Sequence, residues 1–332
     1  MTRLSWLGLQ GLLLLTACSP TPASIAPTPA TSDAPVAIAT TTQLGSTLGD
    51  ITGCAGTASV TLMGPGDDPH DFALASNQVA SLLQAKLVVA SGLGLEGGIT
   101  AALEGAKADG ARVFEVAPQL DPLTYAEIEE KQAQQHAGHA HAEGEPEGHQ
   151  DSHDHGEFDA HVHLDVARMA KAAELIGVQL TEATGEDRYT ACGTETGDKL
   201  RATDAEVRQI LAAVPEDKRV LVTDHEAYNY FADAYGFRIA GVVVPGGGTD
   251  AEPSSAELAD LVAVIKEDNV SAIFSNNTVN PRLVEAVARE AGVQIDVVEL
   301  FEGSLGPAGS GADTYQGMML TNARRIADAL KG

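Results

Sequence analysis

Residues 77–92 read NQVASLLQAKLVVASG, and residues 254–277 read SSAELADLVAVIKEDNVSAIFSNN. Each is a stretch of helical apolar spacing that runs into a short apolar strand. The same order recurs around them. VTLM (60–63), Lys86–Ala90 and ARVFEVA (111–117) read as strands in the first half. In the second half, strand then helix returns in RVLVTDHEAYNYFADAYG. IAGVVVP is a strand, RLVEAVAREAGVQIDVVEL is helix then strand, and YQGMMLTNARRIADALKG closes the chain as a helix. Strands alternating with helices imply parallel sheets flanked by helices. The expected fold is α/β, with two lobes that repeat one plan.

Between the repeats, LDVARMAKAAELIGV reads as a helix with Leu164, Ala167, Met169, Ala172 and Leu175 on one side. A second helix carries Leu200, Val207, Ile210, Leu211 and Val214 at helical spacing, and Pro215 ends it. The domain reading is a leader over 1–17, a tether over 18–34, a first lobe over 35–192, a linking helix over 193–215 and a second lobe over 216–332. Ligands of open α/β sheets sit at strand carboxyl ends, so the expected site is the cleft between lobes.

Composition narrows the function. The formal charge of −27 excludes nucleic acid as a partner and suits cations. Hydrophobic residues make up 44% and aromatics 4%, so aliphatic cores are expected. Arg3 precedes an apolar run, Leu4–Leu15, too short to span a bilayer comfortably, and small residues lead to Cys18. Leu-Thr-Ala-Cys resembles a bacterial lipobox. That resemblance implies cleavage before Cys18, a lipid on its sulfur, and an extracytoplasmic chain anchored to the membrane, periplasmic or at the cell surface. The Pro/Ser/Thr-rich stretch after it reads as a tether. Cys54 and Cys192 then remain, a number that fits one bridge in an oxidising compartment, although sequence does not show that their sulfurs meet.

Ten histidines are sharply distributed. His136, His139, His141, His149, His153 and His155 crowd a Gly- and acid-rich loop, 134–158, too polar for a long regular element. The other four sit after strands or at helix starts: His70 in GPGDDPHDF, His161 and His163 in FDAHVHLD, and His225 in VLVTDHEAY. Asp313 lies in a Gly-rich turn before the last helix, as an N-cap or as an anionic partner of the imidazoles. Three neutral imidazoles and one carboxylate form a closed tetrahedral set that suits zinc and leaves no open position for a reactive water. HEAYN has Asn229 where a zinc protease needs its second histidine. HVHLDV has Val166 where an H-x-H-x-D-H hydrolase needs its last one, so a zinc hydrolase built on 161–165 is the rival from another class. A surface interaction protein is a third reading.

On DPH (68–70), DAHVHLD (159–165), VTDHEAYNYFADAYG (222–236), EPSSAEL (252–258) and DTYQGMMLTNARRIADAL (313–330), the chain resembles the metal-binding solute receptors of bacterial ABC importers for zinc and manganese. The resemblance covers about 35–331. It implies two α/β lobes joined by one long rigid helix, with the metal buried in the cleft. Its ligands fall on His70, His161, His225 and Asp313, and histidine at the third position points to the zinc branch over manganese or another divalent metal. It further implies a monomeric, non-enzymatic receptor that carries Zn²⁺ as its transported ligand to a permease and its ATPase, with a metallochaperone as a candidate partner. Ala160, His163 and Val166 replace the family's Pro, Trp and Pro, which leaves the role of His163 open. His163, Asp165 and Glu226 are candidates to stand behind the ligands. The His-rich loop is a candidate low-affinity collector, weaker than ligands fixed by strands because it loses chain entropy on wrapping a metal.

Overall fold

The computed structural model describes residues 35–137, 157–292 and 295–331. The first half runs β1 (Ala37–Ala39), α1 (Thr42–Cys54), β2 (Ser59–Thr61), α2 (Ser76–Leu82), β3 (Leu87–Ala90), α3 (Thr100–Ala108), β4 (Val113–Glu115) and α4 (Tyr125–Ala137). Two helices follow, α5 (Val166–Thr184) and α6 (Arg188–Leu211). The second half runs β5 (Val220–Thr223), α7 (Asn229–Tyr235), β6 (Arg238–Val242), α8 (Ser255–Glu267), β7 (Ala272–Asn276), α9 (Arg282–Ala291), β8 (Asp296–Leu300) and α10 (Tyr315–Leu330). The two four-stranded sheets have orders β2-β1-β3-β4 and β6-β5-β7-β8, so the second repeats the first. All pairings are parallel, which is why a helix or long crossover separates successive strands.

The two lobes share one hydrophobic core. It includes Ala37 and Ala39 of β1, Met169 and Ile176 of α5, Leu200 and Val207 of α6, Phe274 of β7 and Met318 and Ile326 of α10. Tyr189, Tyr230, Tyr315, Phe231 and Phe274 are among its largest fully buried side chains. The core is therefore not purely aliphatic as composition suggested, because the few aromatics concentrate inside it.

Asp165 caps α5 by accepting from the amides of Ala167 (2.8 Å) and Arg168 (3.2 Å). Gly185, at φ +77°, ends it in the left-handed conformation that glycine adopts without strain. α6 then runs back along α5. Contact is close because Gly177 and Gly193 face each other: a Cβ on Gly193 would lie 2.7 Å from the Ala173 carbonyl oxygen. α6 starts at Arg188 rather than at 193 and spans about 36 Å at 1.5 Å per residue. It is not the only element bridging the lobes. At the start of α10, the Tyr315 amide donates to Ser46 Oγ (3.0 Å) and Gln316 Nε2 to Asp50 Oδ2 (2.9 Å), both on α1.

Cys54, at the end of α1, is bonded to Cys192 of α6, with Cα atoms 5.7 Å apart. The bridge closes a separation of 138 residues. Leader residues 1–17, Cys18, the tether and loop histidines His139, His141, His149, His153 and His155 lie outside the described residues. His136 falls in the last turn of α4.

Candidate metal centre

Four chain segments, three of them after strands and one ahead of α5, bring the site together. After β2, the turn holding His70 is pinned twice: its amide donates to Asp68 Oδ1 (3.0 Å), and its carbonyl accepts from Gly98 (3.1 Å). Glycine at 98 is needed there, because a Cβ would lie 2.3 Å from the Phe72 carbonyl oxygen. His161 opens a short turn ahead of α5. The wholly buried Asp159 accepts from both its amide (2.9 Å) and its Nδ1 (2.8 Å), so Nε2 is the atom left to face the cleft. Asn229 and Tyr230 of α7 hold Asp159 in turn, through Oδ2 (3.1 Å) and the backbone carbonyl (2.7 Å). His225 follows β5. Its Nδ1 lies 3.2 Å from Asp224 Oδ1, whose Oδ2 accepts from the Asn276 amide at the end of β7 (3.0 Å).

One ligand atom from each of His70, His161 and His225 lies within 4.8 Å of the other two, a spacing that could hold a metal ion. The Nε2 atoms of His70 and His161 are 3.3 Å apart. Such crowding suits imidazoles that share a cation. Each of these rings is backed by a carboxylate or a pinned turn, the arrangement that orients metal-binding histidines.

The carboxylate facing this cluster is Glu302, just past β8. Its Oε2 lies 3.7 Å from His225 Nε2, and its Oε1 lies 3.9 Å from His161 Nε2 and 3.4 Å from His163 Nε2. Asp313 does not join them. It is exposed, and its Oδ2 accepts from the Gly309 amide (2.9 Å). The carboxylate that faces the imidazoles is Glu302 and not the expected Asp313: the turn before α10 uses its carboxylate on its own backbone, while the residue just past β8 turns one toward the cluster. Like His225 after β5, Glu302 stands just beyond a parallel strand.

The other expected residues separate. His163 is buried against Glu302 and lies outside the three-imidazole group. Asp165 caps α5 and pairs with Arg168 at 2.5 Å, so it is structural. Glu226 sits near Asp159, and burial followed by repulsion from Asp159 raises its pKa to about 6.

Charge is balanced tightly. Burial, then repulsion from His161 and His225, lowers the pKa of His70 to about 3, so it is neutral throughout the physiological range. Burial also opposes charge on His225, but Glu302 and Asp224 outweigh it and raise its pKa to about 9. Burial likewise opposes the charge on Glu302, yet His225 and His163 hold its carboxyl well below the usual range. Without a cation, Glu302 and Asp224 favour a proton on His225.

A cavity of about 710 Å³ opens onto His70, between Tyr125 and Phe158 on one side and the strap Pro245–Glu252 on the other. The strap meets the first lobe where Thr249 Oγ1 donates to Asp68 Oδ2 (2.7 Å). Phe158, just after the His-rich segment, lines this mouth, so the C-terminal end of that segment lies beside it.

Two parallel α/β lobes with imidazoles and a carboxylate gathered at their strand ends define a class, the two-lobed receptor with its ligand in the cleft. The model of the ZnuA family, "Zinc-uptake complex component A periplasmic", matches residues 38–329. The manganese-binding lipoprotein MntA of Bacillus subtilis is 30% identical over 278 residues, 81% of each chain. The zinc-binding protein TroA of Treponema pallidum is 32% identical over 279 residues, 81% of this chain and 80% of that one. The solved structure of the TroA protein aligns with a TM-score of 0.71 at 28% identity, over 89% of this chain and 99% of that one. The chain belongs to the ZnuA family of metal-binding periplasmic receptors, and so to the substrate receptors of ABC importers.

Proposed function

We propose that this chain is an extracytoplasmic, lipid-anchored receptor that captures Zn²⁺ and hands it to an ABC permease driven by its ATPase. The observation that carries the reading is the convergence of His70, His161 and His225 on a wholly buried Glu302. Three neutral nitrogens and one anionic oxygen match the tetrahedral preference of zinc. With four protein ligands there is no position for a reactive water, and Asp165 is committed to a helix cap, so a hydrolytic site on 161–165 lacks its acid. The lipid on Cys18 rests on the lipobox-like LTAC, and lipoproteins among the relatives support it.

Binding replaces the proton on His225 with the dication. Asp159 and Asp224 keep the rings aimed, and Glu302 supplies the charge that a buried dication requires. The acidic surface adds an attraction for cations that salt screens. The manganese reading is favoured by relatives named manganese-binding, among them one of 30% identity.

The test is metal titration of mature protein (residues 18–332) with Zn²⁺ and Mn²⁺, repeated for His225→Ala and for a deletion of 136–155. Tight zinc binding lost in His225→Ala and kept in the deletion supports the reading. Tight binding lost only in the deletion moves the site to the loop, and a preference for Mn²⁺ replaces zinc with manganese.

A further inference from the structure

His163 has no role in the three-imidazole cluster, yet it is 4% exposed and sits against its carboxylate. Its Nε2 has no hydrogen-bond partner among the described residues, and neither does either oxygen of Glu302. Glu302 Oε1 lies 3.4 Å from that nitrogen. The other oxygen, Oε2, is the one that approaches His225. The carboxylate thus faces the imidazole cluster with both oxygens, Oε2 toward His225 and Oε1 toward His161 at 3.9 Å, and His163 is the nearer of the two imidazoles at Oε1. The backbone of His163 is not free to drift, because Tyr315 donates its hydroxyl to the His163 carbonyl (2.7 Å).

A buried carboxylate oxygen without a donor is costly. Once a metal ion takes Oε2, Glu302 has two ways to satisfy Oε1. It can turn and bind the metal through both oxygens, or it can accept a hydrogen bond from His163. The first gives five donor atoms, two of them oxygen, and the second gives four, one of them oxygen. Zinc favours four-coordinate nitrogen-rich sets, whereas manganese favours more oxygen and higher coordination.

Resting on the receptor reading above, we propose that His163 is a positioning residue: its Nε2–H holds Oε1 of Glu302, so that the carboxylate meets the metal through Oε2 alone and the site discriminates for Zn²⁺ against Mn²⁺. His163 acts through Glu302 and does not touch the metal. The ring nitrogen fixes how many of the carboxylate's oxygens reach the ion.

The experiment compares full-length mature protein with His163→Phe, His163→Gln and His163→Asn. Zn²⁺ and Mn²⁺ affinities are measured by competition, and the visible spectrum is recorded with Co²⁺ as a coordination probe. In His163→Phe, zinc affinity falls by about 10–100-fold, as for other groups that orient a ligand. Manganese affinity holds or rises, and the Co²⁺ spectrum loses its tetrahedral intensity. His163→Gln, whose amide nitrogen reaches nearly as far as Nε2, restores both; His163→Asn, one bond shorter, does not. The Gln/Asn pair keeps the test decisive if the Phe variant fails to fold. Equal loss for both metals, or an unchanged Zn²⁺/Mn²⁺ ratio and Co²⁺ spectrum, overturns the role of His163 and leaves the receptor reading standing. A wild-type protein that binds neither metal overturns both.

Discussion

Glu302 is completely buried, with neither oxygen hydrogen-bonded among the described residues. A carboxylate in that state persists only opposite positive charge. In the metal-free protein that charge is the proton on His225; in the loaded protein it is the cation. Glu302→Ala leaves three imidazoles and no anion. Zinc affinity is expected to fall by on the order of 10²–10³-fold, the cost of stripping one partner from a buried charge pair. Asp313→Ala, on an exposed turn, is expected to change it less than about twofold, in line with ordinary surface substitutions. Isothermal or competition titration of the two variants side by side checks both; a large loss in Asp313→Ala with none in Glu302→Ala would restore the turn as ligand. The pH dependence follows from the same pair. His225, raised to about 9, must lose its proton for the metal to bind, while His70, lowered to about 3, contributes nothing above pH 5. Binding therefore releases a proton below pH 9. The proton on His225 alone should make zinc affinity fall about tenfold per unit as pH drops from 8 to 6.5. A flat profile over that range counts against His225 as a ligand.

At the scale of elements, the α5–α6 pair and the disulfide set the frame. Gly193→Ala places a Cβ against the Ala173 carbonyl and Gly177, and is expected to destabilise by about 1–3 kcal/mol through overpacking, read as a lower midpoint in urea. The Cys54–Cys192 bridge should contribute about 4–5 kcal/mol in the chain-entropy model. The double serine variant is expected to melt lower with zinc affinity unchanged at temperatures where both proteins are folded. A variant that melts like the wild type would show that the bridge adds no stability. The strand-helix order was legible because each core strand is a short apolar run, as in LVVA of β3 and AIFSN of β7, buried throughout. α3 and α4 were not, since each buries little; in α4 Ile128 is the buried apolar contact among polar neighbours. The stripe on α5 was read slightly out of phase: Ala167 is exposed, and Val166, Ala173 and Ile176 are buried instead. Alanine-rich sequence carries a weak moment, so its inner face shows only against a partner helix. The histidines were legible by their strand-end places. Glu302 was not, because carboxylates are so numerous in this chain that one buried among 47 acidic residues has no compositional signal.

Taken as a whole molecule, the two lobes share one core through α5, α6 and α10, and the β8–α10 segment ties them again where Gln43 Nε2 donates to the Glu302 carbonyl (2.7 Å) and the Leu305 amide to Thr42 Oγ1 (2.9 Å). Opening the cleft by a wide hinge would break those contacts and expose core. The strap over the mouth is held by less. Thr249 on Asp68 is a side-chain bond across the lobes, and Gly246 stands at φ +88°. Gly247 lies so close beneath Tyr125 that a Cβ would come within 2.4 Å of its hydroxyl. Metal should therefore enter and leave by movement of residues 245–252 and the His70 turn, with the lobes nearly fixed. Solution scattering is expected to give a radius of gyration near 19 Å for the described residues, with apo and zinc-loaded forms within about 1 Å of each other. Hydrogen exchange should slow on zinc binding in 245–252 and around His70, with α6 and α10 unchanged. Enlarging Gly247 to valine should force the strap from Tyr125 and speed zinc release, while equilibrium affinity falls by the same factor if capture is unaffected. A change of several ångströms in radius of gyration, or exchange differences along α6, would mean that the lobes themselves swing and that the shared core is looser than its packing implies.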